Sequence, residues 1–171
     1  MNKIARYLRT FLETINHLVE SLCSLLLVTM VVIIVVSVGF RYLLSAPISW
    51  SEEVAILILV WFGWLSVATA VYRHSHMAID AIYDHLSSGG QYWLNITIQL
   101  LITVFAVNIM LNASLLVDMV GDQTLPASGI FRSCLYLASI VAATLMTINS
   151  IGNLLLDRFV DDSNDALNNQ Y

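Results

Sequence analysis

Charged residues fall in short clusters along this chain, separated by long uncharged stretches. No Asp, Glu, Lys or Arg occurs between Glu20 and Arg41, between Glu53 and Arg73, or between Arg132 and Asp157. Each stretch meets the requirement of roughly 20 apolar residues for crossing a hydrocarbon core. A fourth, between Asp84 and Asp118, would be roughly 50 Å long as one helix, too long for a single crossing. Ser87-Ser88-Gly89-Gly90 interrupts it. The apolar runs are continuous and lack the period-two alternation of barrel strands, so helices are predicted. The pattern gives an all-α membrane protein with four transmembrane helices, at about 21–42, 50–72, 91–117 and 133–156.

Two further segments are amphipathic. Ile4, Tyr7, Leu8, Phe11, Leu12, Ile15, Leu18 and Val19 recur at three- and four-residue spacing, while Lys3, Arg6, Arg9, Glu13 and Asn16 occupy the other face. That pattern predicts an N-terminal interfacial helix over about 3–19 lying on the membrane, with its basic residues toward anionic headgroups. The alternative is a simple extension of the first span. Between spans two and three, Met77–Leu86 sets Ala78, Ile82 and Leu86 against Asp80, Asp84 and Ser87, predicting a short second interfacial helix. A tail over 157–171, rich in Asp, completes a single membrane domain covering 1–171.

Composition agrees. Of 171 residues, 58% are hydrophobic and 11% charged, against about 25% charged in a soluble domain. The net charge of −5 leaves no basic footprint for nucleic acid. Cys23 and Cys134 lie inside apolar stretches, where they read as small core residues rather than a disulfide framework. The first apolar run starts too late and is too long for a signal-peptide core, so none is expected. If the N-terminus is cytoplasmic, that side carries Lys3, Arg6, Arg9, Arg73 and Arg158, against Arg41 and Arg132 opposite. The positive-inside rule then places both termini in the cytoplasm.

Candidate chemistry is sparse. The turn between spans one and two brings Arg41 near Glu52 or Glu53, beside Trp50, and Ser49-x-x-Glu52 has capping-box spacing for the second helix. Two carboxylates and an Arg at a membrane boundary suit a structural ion pair or docking site on the outer side. On the cytoplasmic side Arg73, His76 and Asp80 cluster, with His74, Asp84 and His85 nearby. No recognised metal-ligand spacing is matched, and neither metal nor cofactor is expected. None of the four histidines sits mid-span, where a haem would need it. Gly63, Ser66 and Ala70, the Asn95/Gln99 row and the Asn108/Asn112 pair suit helix packing, including packing against a partner subunit. No nucleophile with a base and no phosphate loop is present, so an enzyme is not expected.

Several of these residues form a recognisable set. Phe40-Arg41-Tyr42, Ile48-Ser49-Trp50-Ser51-Glu52-Glu53, Val60-Trp61, and Arg73 with His76-Met77-x-x-Asp80 resemble the small membrane subunit of tripartite ATP-independent periplasmic (TRAP) transporters. Gln123-x-x-Pro126-Ala127-x-Gly129-Ile130 is also similar. The resemblance spans roughly residues 20–155; Met77 stands where the pattern more often has Ile. It implies a subunit of a sodium-gradient-driven importer of an organic anion, such as a sialic acid or a C4-dicarboxylate, in the bacterial inner membrane. Its implied partners are a large membrane subunit, which holds the substrate and sodium sites, and a periplasmic substrate-binding protein. On that reading Arg41, Trp50, Glu52 and Glu53 serve folding or docking outside, and Arg73, His76 and Asp80 are their cytoplasmic counterpart. A free-standing small oligomeric carrier or channel is the alternative, with the Asn95/Gln99 and Asn108/Asn112 rows as its only polar lining.

Overall fold

The computed structural model describes residues 3–73 and 88–168, and four helices account for most of them. They are α1 (Lys3–Leu43), α2 (Ser51–Tyr72), α3 (Ser88–Val120) and α4 (Ser133–Asn168). Each contains a stretch long and apolar enough to cross a membrane. The predicted all-α, four-span architecture therefore holds. The short helix expected over 77–86, together with His74, His76, Asp80 and His85, lies outside the described residues.

The ends differ from expectation in four places. The N-terminal amphipathic segment is helical, but no break separates it from the first span: α1 runs through 41 residues, about 60 Å. Leu12 and Asn16 are buried against other helices, so this segment continues the bundle instead of standing apart from it. Helix α3 already includes Ser88, Gly89 and Gly90, and α4 continues to Asn168, well into the segment read as a tail. At the start of α2 the capping box centred on Ser49 does not form. Trp50 occupies the N-cap without a side-chain cap bond, and Ser51 Oγ instead donates to Ile48 O at 2.7 Å.

Helix α1 ends where Ser45 takes the left-handed conformation, φ 51°, with the Leu44 and Ala46 amides bonding back to Phe40 O. Such a residue closes a helix by satisfying its last carbonyls. The α3–α4 connection is a small hairpin. Arg132 N donates to Gln123 O and Leu125 N to Ile130 O, both at 2.8 Å, and Gly129 supplies the left-handed corner at φ +70°.

Helix α4 is the hub, packing against the other three. It contributes Ala142, Ala143 and Met146 to the core, meeting Ala68 and Val71 of α2 and Ala106 of α3. Small side chains let helix backbones approach closely, which is how helices associate in lipid. Gly152 shows the tightest fit: a Cβ there would lie 2.5 Å from Leu12 Cδ1 of α1. Large exposed hydrophobics such as Leu25, Val32 and Val35 on α1, and Leu101, Phe105 and Leu115 on α3, cover the outside of the bundle.

Candidate functional site

At the end of the bundle formed by the α1–α2 turn, Arg41 Nη2 donates to Glu52 Oε1 at 2.8 Å, so the Arg pairs with Glu52. Both side chains are more than half exposed, and such pairs contribute at most about 1 kcal/mol. Glu53 turns toward the α3–α4 hairpin. Its carboxylate accepts from Ala127 N at 3.1 Å, from Ser128 N at 2.8 Å and from Ser128 Oγ at 2.7 Å. A carboxylate gathering adjacent backbone N–H groups makes strong, charge-assisted bonds. The Ser-Trp-Ser-Glu-Glu element and the Gln123–Ile130 element are thus two halves of one joint. The left-handed corner at Gly129 shapes the loop that offers the amides, and the first turn of α2 supplies the carboxylate. Trp50 stays 47% exposed beside them.

At the opposite end, Arg73 Nε meets Glu20 Oε1 at 2.6 Å, joining α1 to the end of α2. Glu20 raises the Arg73 pKa by accepting this bond. His76 and Asp80, expected beside Arg73, lie outside the described residues. A polar groove of about 410 Å³ opens here, lined by Glu20, Cys23, Ser24, Ser66, Thr69, Ala70 and Arg73.

Between the ends, toward Arg73, lies a network of buried amides and hydroxyls. Asn16 of α1 and Asn149 of α4 exchange Nδ2–Oδ1 bonds at 2.8 and 3.0 Å. Asn149 Nδ2 also donates to Ala68 O, and Asn153 Nδ2 to Val71 O, both on α2. Ser150 Oγ lies 2.8 Å from both Gln99 O and Gln99 Oε1 of α3, and Thr103 Oγ1 lies 3.0 Å from Ser150 Oγ. Nearer the other end, Trp61 Nε1 donates to Cys134 O at 3.1 Å, from α2 to α4.

The expected packing residues are unevenly placed. Gln99 is only 1% exposed and bonds Ser150 inside the bundle. Ser66 faces α1, its hydroxyl 3.8 Å from Cys23 Sγ. Ala70 is exposed, and a Cβ on Gly63 would meet nothing within 4 Å. Asn95 is half-buried. Asn108 and Asn112 are exposed and bonded to each other at 2.9 Å. Arg6 and Phe11 are exposed, Lys3 opens α1, and Arg9 pairs with Glu13 at 2.8 Å. The pattern pointed to neither Glu20, Ser128, Asn149, Ser150 nor Asn153 as a site. The last three were visible as a signal, since polar residues clustered around Gly152 inside an uncharged span require partners. Among the described residues, no group of three His, Cys, Asp or Glu could hold a metal.

Comparison with known proteins points the same way. The family described as "Tripartite ATP-independent periplasmic transporters, DctQ component" matches residues 30–159. A Haemophilus influenzae protein named as a TRAP transporter small permease is 23% identical over 148 residues, covering 86% of this chain and 92% of its own length. The sialic acid TRAP transporter small permease protein SiaQ of Vibrio cholerae is 27% identical over 97 residues, or 57% of this chain and 56% of SiaQ. The sialic acid TRAP transporter permease protein SiaT of Haemophilus influenzae is 28% identical over 147 residues, which is 82% of this chain but 23% of SiaT. From residues 30–159, together with four spans and a joint built from the most specific shared elements, the chain belongs to the DctQ family of TRAP transporter small permease subunits: a multi-pass membrane protein and a transporter component, not an enzyme.

Proposed function

We propose that this chain braces the large permease subunit of a sodium-gradient-driven, binding-protein-dependent importer of an organic anion in the bacterial inner membrane. The observation that carries this reading is how its polar interior is used. Asn16, Asn149, Ser150, Gln99 and Asn153 bond to one another or to backbone across all four helices. They stitch the bundle together instead of lining a path, and no Asp, Glu, Lys or Arg stands within the uncharged spans to bind an ion. Helix packing in lipid relies on such bonds and on close contact, so a bundle closed this way serves as a scaffold.

The large subunit and a periplasmic binding protein are the partners of this proposal, with docking at the Trp50, Glu52 and Glu53 end. Arg73 with His76 and Asp80 forms the cytoplasmic counterpart. The exposed Ala70, Asn108 and Asn112, with Gly63 and Asn95, are the inter-subunit packing positions. Arg6, Arg9, Lys3 and Phe11 meet the headgroups. A carboxylate is the substrate class; the SiaQ and SiaT relatives make sialic acid the first to test, ahead of C4-dicarboxylates.

Reconstitution tests the reading. Proteoliposomes holding only this chain should show no sodium-gradient-driven uptake of labelled sialic acid or succinate. Adding the large subunit and binding protein should establish it. Robust uptake by this chain alone would reject the bracing role and favour a free-standing carrier.

A further inference from the structure

We propose that the groove between α1 and α2 beside the Ser45–Trp50 turn binds one zwitterionic aminophospholipid, its acyl chain in the groove and its headgroup across the Arg41–Glu52 pair. The groove has a volume of about 350 Å³, near the lower end of the roughly 300–1,000 Å³ of ligand sites. Ile34 and Val38 form one wall, and Ala55 and Ile56 the other.

Its floor is made of two serines whose protons are already committed. Ser51 Oγ donates to Ile48 O at 2.7 Å, so in the 2.7 Å bond between Ser37 and Ser51 the donor is Ser37. Neither hydroxyl has a proton left to offer an occupant. An acyl chain fits such a floor without leaving a donor unpaired, which a polar ligand would not exploit.

The rim differs from the floor. Arg41 and Glu52 both line it, with side chains 51% and 71% exposed. Their pairing uses one guanidinium N–H of the five that Arg carries. A purely anionic headgroup would meet Arg41 but be repelled by Glu52, and a purely cationic group would face the reverse. A phosphate and an ammonium on one headgroup satisfy both: the phosphate accepts from remaining Arg41 N–H groups, and the ammonium donates to the Glu52 carboxylate. Tyr42 and Trp50, the chain neighbours of Arg41 and Ser51, are 78% and 47% exposed, and such aromatic residues concentrate at headgroup depth.

The test uses the full chain with its large subunit, in nanodiscs of equal parts phosphatidylethanolamine, phosphatidylglycerol and phosphatidylcholine with identical acyl chains. Native mass spectrometry should show one retained phosphatidylethanolamine, favoured about tenfold over the other two. Ala55→Trp, which fills the groove and leaves the ion pair, should remove it. Glu52→Gln, at an exposed position, should keep the lipid but erase the preference for phosphatidylethanolamine over phosphatidylglycerol. Equal retention of all three lipids would overturn the proposal, because it describes a bulk annulus. So would retention unchanged in both variants, which puts the lipid elsewhere, or phosphatidylglycerol preferred by the unmodified chain, which removes any part for Glu52. A photo-crosslinker at Ile56 should capture lipid; capture of the large subunit instead would assign the groove to a partner helix and reject the lipid.

Discussion

Glu53 and Glu52 are adjacent in sequence and point to different jobs. Glu52 holds Arg41 across the α1–α2 turn, whereas Glu53 holds Ala127 and Ser128 of the α3–α4 hairpin. One residue of separation on a helix rotates side chains by about 100°, which is why the two carboxylates can serve different neighbours. Glu53→Ala should therefore loosen the α3–α4 hairpin locally. Hydrogen exchange should speed up several-fold at the Ala127 and Ser128 amides. The Leu125 and Arg132 amides, bonded within the hairpin, should change much less. Ser128→Ala removes one donor of the set and should produce a smaller version of the same change. Uniform acceleration across residues 121–132 would mean that Glu53 supports the whole hairpin, not its tip.

At the scale of elements, the four helices are registered by amide and hydroxyl pairs as much as by shape. Asn149 bonds Asn16 of α1 and the Ala68 carbonyl of α2 at once, so it fixes three helices at one level. Asn149→Ala should lower bundle stability by about 1–2 kcal/mol, measured by reversible unfolding in mixed micelles. The double variant with Asn16→Ala should lose less than the sum of the two single variants, since the pair is removed only once. Full additivity would show that the two amides act separately. The same level holds the Gly152–Leu12 contact, so polar pairing and close approach act together where α1 crosses α4. This also explains the continuous α1: Leu12 and Asn16 are held by α4, which keeps the amphipathic segment in line with the span.

For the molecule as a whole, the two ends of the α1–α2 pair are closed by ion pairs, Arg41 with Glu52 and Arg73 with Glu20. On the proposed orientation, which rests on the distribution of Lys and Arg, Arg73 faces the cytoplasm and Arg41 the outside. Single cysteines at Ser45 and at Ser88, in a background lacking Cys23 and Cys134, check this. An impermeant thiol reagent applied to intact cells should label the Ser45 position and spare the Ser88 position. The reverse pattern would invert the chain. With the large exposed hydrophobics spread over α1 and α3, the hub α4 is the helix least available to outside contacts, and the outer helices offer the exposed apolar surface, on the proposed function to lipid and to the large subunit.

Charge spacing and apolar length by themselves determined that the described residues carry four helices long and apolar enough to cross a membrane. These properties are local: a run of apolar residues must be helical in lipid whatever its neighbours, because its backbone has no other partner for hydrogen bonds. The shared motif residues Trp50, Glu52, Glu53, Pro126 and Gly129 were likewise legible as a family resemblance. Their physical connection was not, because Glu53 and Ser128 lie far apart in sequence and meet only once α2 and α4 pack. The same holds for Arg41 choosing Glu52, for Arg73 finding Glu20, and for Gln99 turning inward to Ser150. A helix places residues on faces, but which face meets which helix depends on the crossing geometry of all four. Only the tertiary structure decided that.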